Sequence, residues 1–434
     1  MVWEGCPRKG APYPISRTPD SAGAIFAPMQ GWHPSRSAAL DRLQRFAPRA
    51  GKEYARSRNN DLGPDRRDNV SALSTWIRYR ILTEHDVVAQ TLSLHSATAA
   101  EKFIQEVFWR TYWKGWLEMR PGVWQEFLNE RDQVRNRLQM DAEQAALLER
   151  AEQGRTGVAG FDDWARELSD TGYLHNHARM WFASIWIFTL KLPWALGADF
   201  FLRHLLDADP ASNTLSWRWV AGLQTRGKIY LACPDNIATC TDGRFRPRGL
   251  AEQAEALKGP EPPPARAVPK ATGQFQADFN GQLLLVTPED LHPESLIEGR
   301  GRPAQVLVAG PDAFAPDWPW GDKARAFLDG AVEDTVARLS AMDLPVRRID
   351  SLDAAALRDL ARAHELQQIL TPYAPVGPVA DRLAMFRQAL AADGIALEQV
   401  RRDWDEQAWP HARRGFFPFR KQIPDLLKLA GLGP

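Results

Sequence analysis

Three stretches concentrate side chains that can do chemistry: Tyr54–Ser74, Phe103–Trp116 and Gly154–Trp219. In the second, Glu106 and Arg110 stand four apart, and Trp109 lies three from Glu106. On a helix these share a face, so a carboxylate, a guanidinium and a broad π surface meet. The plainer reading is an i,i+4 ion pair beside a core tryptophan. In the third, TGYLHNHARM puts Asn176, Arg179 and Met180 on one helical face. Downstream, LLDADPASNTLSWRW sets Asp207, Asp209 and Asn213 among apolar residues. Buried acids need cationic partners, and Arg179 is the obvious one. A polar nest amid tryptophans fits a bound polar ring, and it fits a structural network as well.

Helices must position these residues. Apolar side chains recur at three- and four-residue spacing over Ala38–Phe46, Glu84–Gln90, Ala99–Leu117, Ala142–Gln153, Phe161–Leu168, Leu174–Leu190 and Ala198–Leu206. After residue 280 the pattern changes. Short β-rich runs at Gln282–Val286, Gln305–Ala309, Pro345–Ile349, Gln368–Thr371 and Ile395–Gln399 alternate with helix patterns at Lys323–Ala341, Asp353–His364 and Val379–Ala392. Strand–helix alternation implies a parallel sheet. No G-x-G-x-x-G follows any of these strands, so a dinucleotide fingerprint is absent.

The 434 residues allow two to three domains, and 44% apolar residues can fill their cores. Net charge is zero, but it is divided. Residues 1–250 hold 33 Lys and Arg against 28 Asp and Glu; residues 251–434 hold 21 against 26. Thirteen of 17 tryptophans fall in the first part, which calls for large aromatic cores or indole chemistry. KGPEPPPARAVPK, residues 258–270, carries five prolines and marks a linker at 251–279. The expected layout is an irregular extension at 1–30, a helical domain at 31–250, the linker, and a smaller α/β domain at 280–434. Three cysteines exclude a disulfide scaffold and a four-cysteine metal site. Cys233 and Cys240 read as structural, and no metal site is expected. No apolar run can span a membrane and no signal-peptide pattern opens the chain, so a cytoplasmic globular protein is expected; a monomer is expected as well.

The residues also match a family. Tyr54 with Arg58, VSALS at 70–74, EVFWR at 106–110, GRTG at 154–157, TGYLHNHARM at 171–180 and DADPASNTLSWRW at 207–219 follow one another in family order. From Pro34 to Phe245 the chain resembles the FAD-binding helical domain of the DNA photolyase/cryptochrome family. Residues 327–420, closing with WDEQAWPHARRGFFPF, more weakly resemble the later part of the α/β domain that precedes the FAD domain in that family. The resemblance therefore implies a circularly permuted order. The fold class implied is multi-domain: an all-helical FAD-binding domain followed by a smaller parallel-sheet α/β domain.

The resemblance implies FAD as cofactor. It places Tyr54, Val70, Ser71, Ala72, Leu73 and Ser74 on the phosphate side, with Phe103 where the family usually has Trp. Val70 and Ala72 stand where the family more often has Thr and Arg. Arg179 and Asp207 would pair beside the flavin ring, Asp209 would contact its edge, and Asn213 would face its N5. Asn at 213 is the repair-type choice. Glu106, Trp109, Asn176, Met180 and Trp219 would form a pocket for a flipped cyclobutane pyrimidine dimer. Histidines at 176 and 180 would instead have pointed to the (6-4) photoproduct. Arg58 and Arg110 would hold the DNA backbone.

The implied reaction is light-driven repair by electron transfer from excited reduced FAD. Glu106 would steady the dimer's charge. Trp217 and Trp194 match the first two members of the family's photoreduction relay. A third is missing near Met140; Trp124, Trp181, Trp186, Tyr173 or Tyr112 could serve, though each reads first as a core aromatic. His175 and His177 read as a packed or capping histidine and a surface histidine. An antenna chromophore is possible and undetermined. The alternative is a non-repairing, cryptochrome-like blue-light sensor; a non-catalytic nucleic-acid-binding module is a third reading.

Overall fold

The computed structural model describes residues 32–138, 140–270, 277–314 and 320–433. The expected extension at 1–30 and positions 271–276 of the expected linker lie outside the described residues. Up to Cys240 the described residues form helices and no strands. Every expected helix there is present, with ends shifted by a few residues, except that Leu174–Leu190 divides. Asn176–Ser184 is α-helical and Ile185–Thr189 is a π turn. Two substantial helices were not anticipated. Gly122–Leu138 carries so many charges that its apolar stripe is thin. Pro210–Val220 starts on Pro after an Asp cap, a signal hidden by its polar content.

The five strands are β1 (Leu283–Val286), β2 (Gln305–Ala309), β3 (Val346–Ile349), β4 (Gln368–Pro372) and β5 (Ala396–Val400). They form one parallel sheet in the order β3-β2-β1-β4-β5. β1 is buried along its whole length, as the run LLLV requires when both faces are covered. The order reverses at β1, so the crevice lies at the carboxyl ends of β1 and β4. Those ends dock on the helical half.

Three buried contacts fix the docking. Arg78 donates to both oxygens of Glu289, just past β1, at 2.6 and 2.8 Å. Arg80 is paired with Asp405 and also faces Glu84 and Asp290 at 3.7 and 3.6 Å. Tyr373, after β4, donates its hydroxyl to buried Glu118 at 2.8 Å, and the Val376 amide donates to the same carboxylate at 2.6 Å. Gly115 lets Trp409 approach this helix: a Cβ there would stand 3.0 Å or less from Trp409 ring and backbone atoms. No described helix is long and apolar enough to cross a membrane.

Candidate functional site

Four segments wall one open cleft in the helical half. The Glu101–Glu118 helix gives Phe103, Glu106, Trp109 and Arg110 from one face. The Asn176–Ser184 helix gives Asn176, Arg179 and Met180. The Pro210–Val220 helix gives Asn213, Trp217 and Trp219, with Asp207 and Asp209 just before it. The fourth is the loop Val70–Ser74 with Tyr54 and Arg58 nearby. Every site residue expected from sequence lines this cleft except Trp194, which lines a separate pocket with Glu130 and Arg218.

Arg42 holds the loop in place. Its Nε donates to the Ser71 carbonyl at 2.7 Å and its Nη2 to the Val70 carbonyl at 2.9 Å. Ala72 there takes a φ of 51°, a left-handed conformation that a side chain resists. Tyr54 is packed edge-on against Phe46 and Phe103. Burial, reinforced by Glu106, pushes its phenol well above the usual range, so it stays a neutral donor.

The acids are paired. Arg179 meets Asp207 at 3.1 Å through both nitrogens of its fork. Arg110 faces Asp209 at 3.3 Å and Asp207 at 3.9 Å. Burial alone would raise the Asp207 carboxyl; Arg179, Arg110 and a hydrogen bond from Ser74 overcome it and hold the pKa down. Asp209 is buried too, yet Lys114, Arg110 and Arg78 hold it well below the usual carboxylate range. Asp209 also caps its helix, accepting from the Ser212 amide at 2.8 Å. The i,i+4 pair expected between Glu106 and Arg110 does not form. Glu106 instead accepts from Arg58 at 2.6 Å. Both arginines expected on the DNA backbone therefore have carboxylate partners inside the cleft.

His177 corrects an expectation. It is 5% exposed, not a surface side chain. Its ring stacks on Trp181 at 4.1 Å, and its Nδ1 lies 2.9 Å from the Asn59 carbonyl. His175 caps the helix through Nδ1, which accepts from the His177 amide at 3.1 Å. Burial pushes both imidazoles down to about 4. Sequence reasoning missed Lys114, Arg42 and Arg78, whose partners lie far along the chain and leave no local pattern. It also missed Tyr230, which packs 5.9 Å from Trp219 and lies 3.3 Å from His177 Nε2.

Trp217 is buried among Phe201, Trp186 and Phe182, with ring centroids 5.1, 6.2 and 6.4 Å away. Gly197 makes room for it: a Cβ there would fall 2.3 Å from the Trp217 ring and 3.0 Å from Trp186. Trp194 packs on Phe127 at 5.6 Å.

The donor set suits a flavin. Asn213 donates its amide nitrogen to the Ala198 carbonyl at 2.9 Å. Only the nitrogen can donate, so the rotamer is fixed and the oxygen is left as an acceptor. Arg179 and Asp207 offer a charged donor and an acceptor side by side. Phe103, Val107, Phe201, Leu205 and Val220 add apolar wall for a ring system. Tyr54, Ser71 and Ser74 offer hydroxyls for phosphates. Among the described residues there is no group of three His, Cys, Asp or Glu that could hold a metal ion.

Comparison with known proteins places residues 103–244 in a family described as the FAD binding domain of DNA photolyase. The deoxyribodipyrimidine photo-lyase of Streptomyces griseus is 31% identical over 159 residues, 36% of this chain and 33% of that one. A chloroplastic/mitochondrial cryptochrome DASH of Oryza sativa subsp. japonica is 27% identical over 227 residues, 51% of this chain and 38% of that one. A bacterial class III photolyase from Agrobacterium tumefaciens, a solved structure, is 28% identical with a TM-score of 0.40, covering 49% of this chain and 43% of that one. The chain spans a third to under half the length of these relatives.

Proposed function

We propose that this chain, a member of the DNA photolyase/cryptochrome family with FAD as its cofactor, repairs cyclobutane pyrimidine dimers in DNA under blue light. One observation carries the reading: the residues suited to a flavin and those suited to a flipped pyrimidine dimer line the same cleft. Reduced FAD, when bound, supplies a light-excited electron donor. Arg179, Asp207 and Asn213 would hold its ring system, and Tyr54, Ser71 and Ser74 its phosphates.

The protein's own part is binding, orientation and electrostatics. Trp109 and Trp219, both partly exposed, would stack on the dimer's bases. Asn176 and Met180 complete that end of the pocket. Glu106, steadied by Arg58, would accept hydrogen bonds from the pyrimidine rings and fix their orientation. Trp217 and Trp194 would carry reducing equivalents inward, with Trp186 as an alternative second member beside Trp217. We read residues 280–434 as the family's α/β domain in permuted order, 31–250 as the FAD domain and 251–279 as their linker. The reading extends to a monomeric cytoplasmic enzyme.

A second reading is a blue-light sensor that does not repair. Phe416 favours it, because its ring stacks on Trp109 at 3.7 Å and takes one face of that indole. The deciding experiment purifies the protein, records flavin absorbance, and follows a dimer-containing oligonucleotide in light and darkness. Light-dependent loss of the dimer supports repair; no loss with flavin bound supports sensing.

A further inference from the structure

We propose that the segment His411–Lys421 is a second DNA contact, which grips phosphates beside the cleft and presents Phe417 to the disrupted base stack. This rests on the repair reading. The cleft poses the problem: Arg58 and Arg110, the arginines expected on the DNA backbone, are tied to Glu106 and Asp209 at 2.6 and 3.3 Å. Other cations must neutralise the flanking phosphates, which dominate DNA affinity.

The C-terminal segment has them. Residues 407–424 hold Arg413, Arg414, Arg420 and Lys421 and no Asp or Glu, although residues 251–434 are acidic overall. Arg413, Arg414 and Lys421 are exposed. None of these four side chains makes an ion pair among the described residues. The segment is also fixed against the cleft. Tyr112 donates its hydroxyl to the Arg414 carbonyl at 2.8 Å, and Arg120 donates to the Arg413 carbonyl at 2.8 Å. Phe416 lies flat on Trp109, interplanar angle 12°. The backbone is thus pinned to the helix that carries Glu106 and Trp109, while the cationic side chains face solvent.

Phe417 is 56% exposed, whereas its neighbours Phe416 and Phe419 are buried. An exposed phenyl among cations suits stacking on an unstacked base or wedging between bases. Arg420 sits 5.6 Å over this ring and would follow it toward the backbone. A duplex kinked at a flipped dimer offers both phosphates and a broken stack.

The test is fluorescence anisotropy with flavin-loaded full-length protein and two labelled duplexes, one with a dimer and one undamaged, across a salt series. Arg413→Ala/Arg414→Ala should weaken both duplexes roughly tenfold and lower the log–log salt slope by about 1.8. Phe417→Ala should weaken the dimer duplex by at least about fivefold and the undamaged duplex little. Arg413→Glu/Arg414→Glu should weaken binding further than the alanine pair. Unchanged affinity and slope in the arginine variants, with wild type binding normally, would overturn the contact and leave the repair reading intact. Equal effects of Phe417→Ala on both duplexes would overturn its stacking role. A wild type that binds neither duplex would sink both this contact and the repair reading.

Discussion

Glu106 is held not by Arg110, four residues along its own helix, but by Arg58, 2.6 Å away from another segment. This leaves Arg110 free to neutralise Asp209 and Asp207. On the proposed reading, one arginine steadies the carboxylate assigned to the substrate, and another serves the acids assigned to the flavin. The cleft acquires two ends with separate charge balance.

Arg58→Ala should therefore separate the two ends. Flavin content should stay at the wild-type level, because Arg179, Asp207 and Asn213 are untouched. Affinity for a dimer-containing duplex should fall roughly tenfold, the scale of one charge-assisted hydrogen bond. Flavin absorbance and a binding titration check it. Lost flavin would contradict the division.

Arg179→Ala should do the opposite. It leaves buried Asp207 with Arg110, at 3.9 Å, as its remaining cation and Ser74 as a neutral donor. The purified variant should carry little flavin, read from its visible absorbance against protein concentration. Full occupancy would remove Arg179 from the ring site.

Arg78 ties the halves together, and its loss should be expensive. It binds both oxygens of Glu289 while facing Asp209 at 3.9 Å. Arg78→Met strands a buried carboxylate and should cost about 3–5 kcal/mol in denaturant unfolding. Arg78→Met/Glu289→Leu should recover most of that loss. Equal stability of single and double variants would show the pair is not coupled.

Acid should weaken the fold before Asp207 and Asp209 titrate. His175 and His177 take protons only near 4 when folded, but near 6.5 when unfolded. Between those values the unfolded chain holds more protons, so stability falls as pH drops through the window. The slope is at most about 1.4 kcal/mol per pH unit for each histidine. Asp207 and Asp209 have depressed pKa values, so their contribution persists above about pH 4 and is lost only below it. Urea midpoints at pH 7 and pH 5 should show the drop, with a smaller one in His177→Gln. Equal drops in both proteins would remove His177 from the account.

The cleft was readable from sequence to the extent that its residues come in local runs. Glu106, Trp109, Arg179, Asp207 and Asn213 sit at helical spacings or in one short motif, and periodicity puts them on shared faces. The strands β1 and β2 were equally legible, since LLLV and QVLVA are short β-rich apolar runs that alternate with helix patterns. Partners across the chain were not. Arg58 reaches Glu106 over 48 residues and Arg78 reaches Glu289 over 211. Nor were those of His177, whose partners Asn59 and Tyr230 lie 118 and 53 residues away. The Gly122–Leu138 helix is hard to read from sequence because charge outweighs its few apolar anchors.

The most direct measurement is dimer content in an oligonucleotide incubated with reduced, flavin-bearing protein in blue light and in darkness. Wild type and Glu106→Ala should be compared at equal flavin content. Wild type should remove dimers in light and none in darkness, and Glu106→Ala should keep flavin but repair far more slowly. A wild type that binds flavin and leaves the dimers intact in light would contradict the repair assignment.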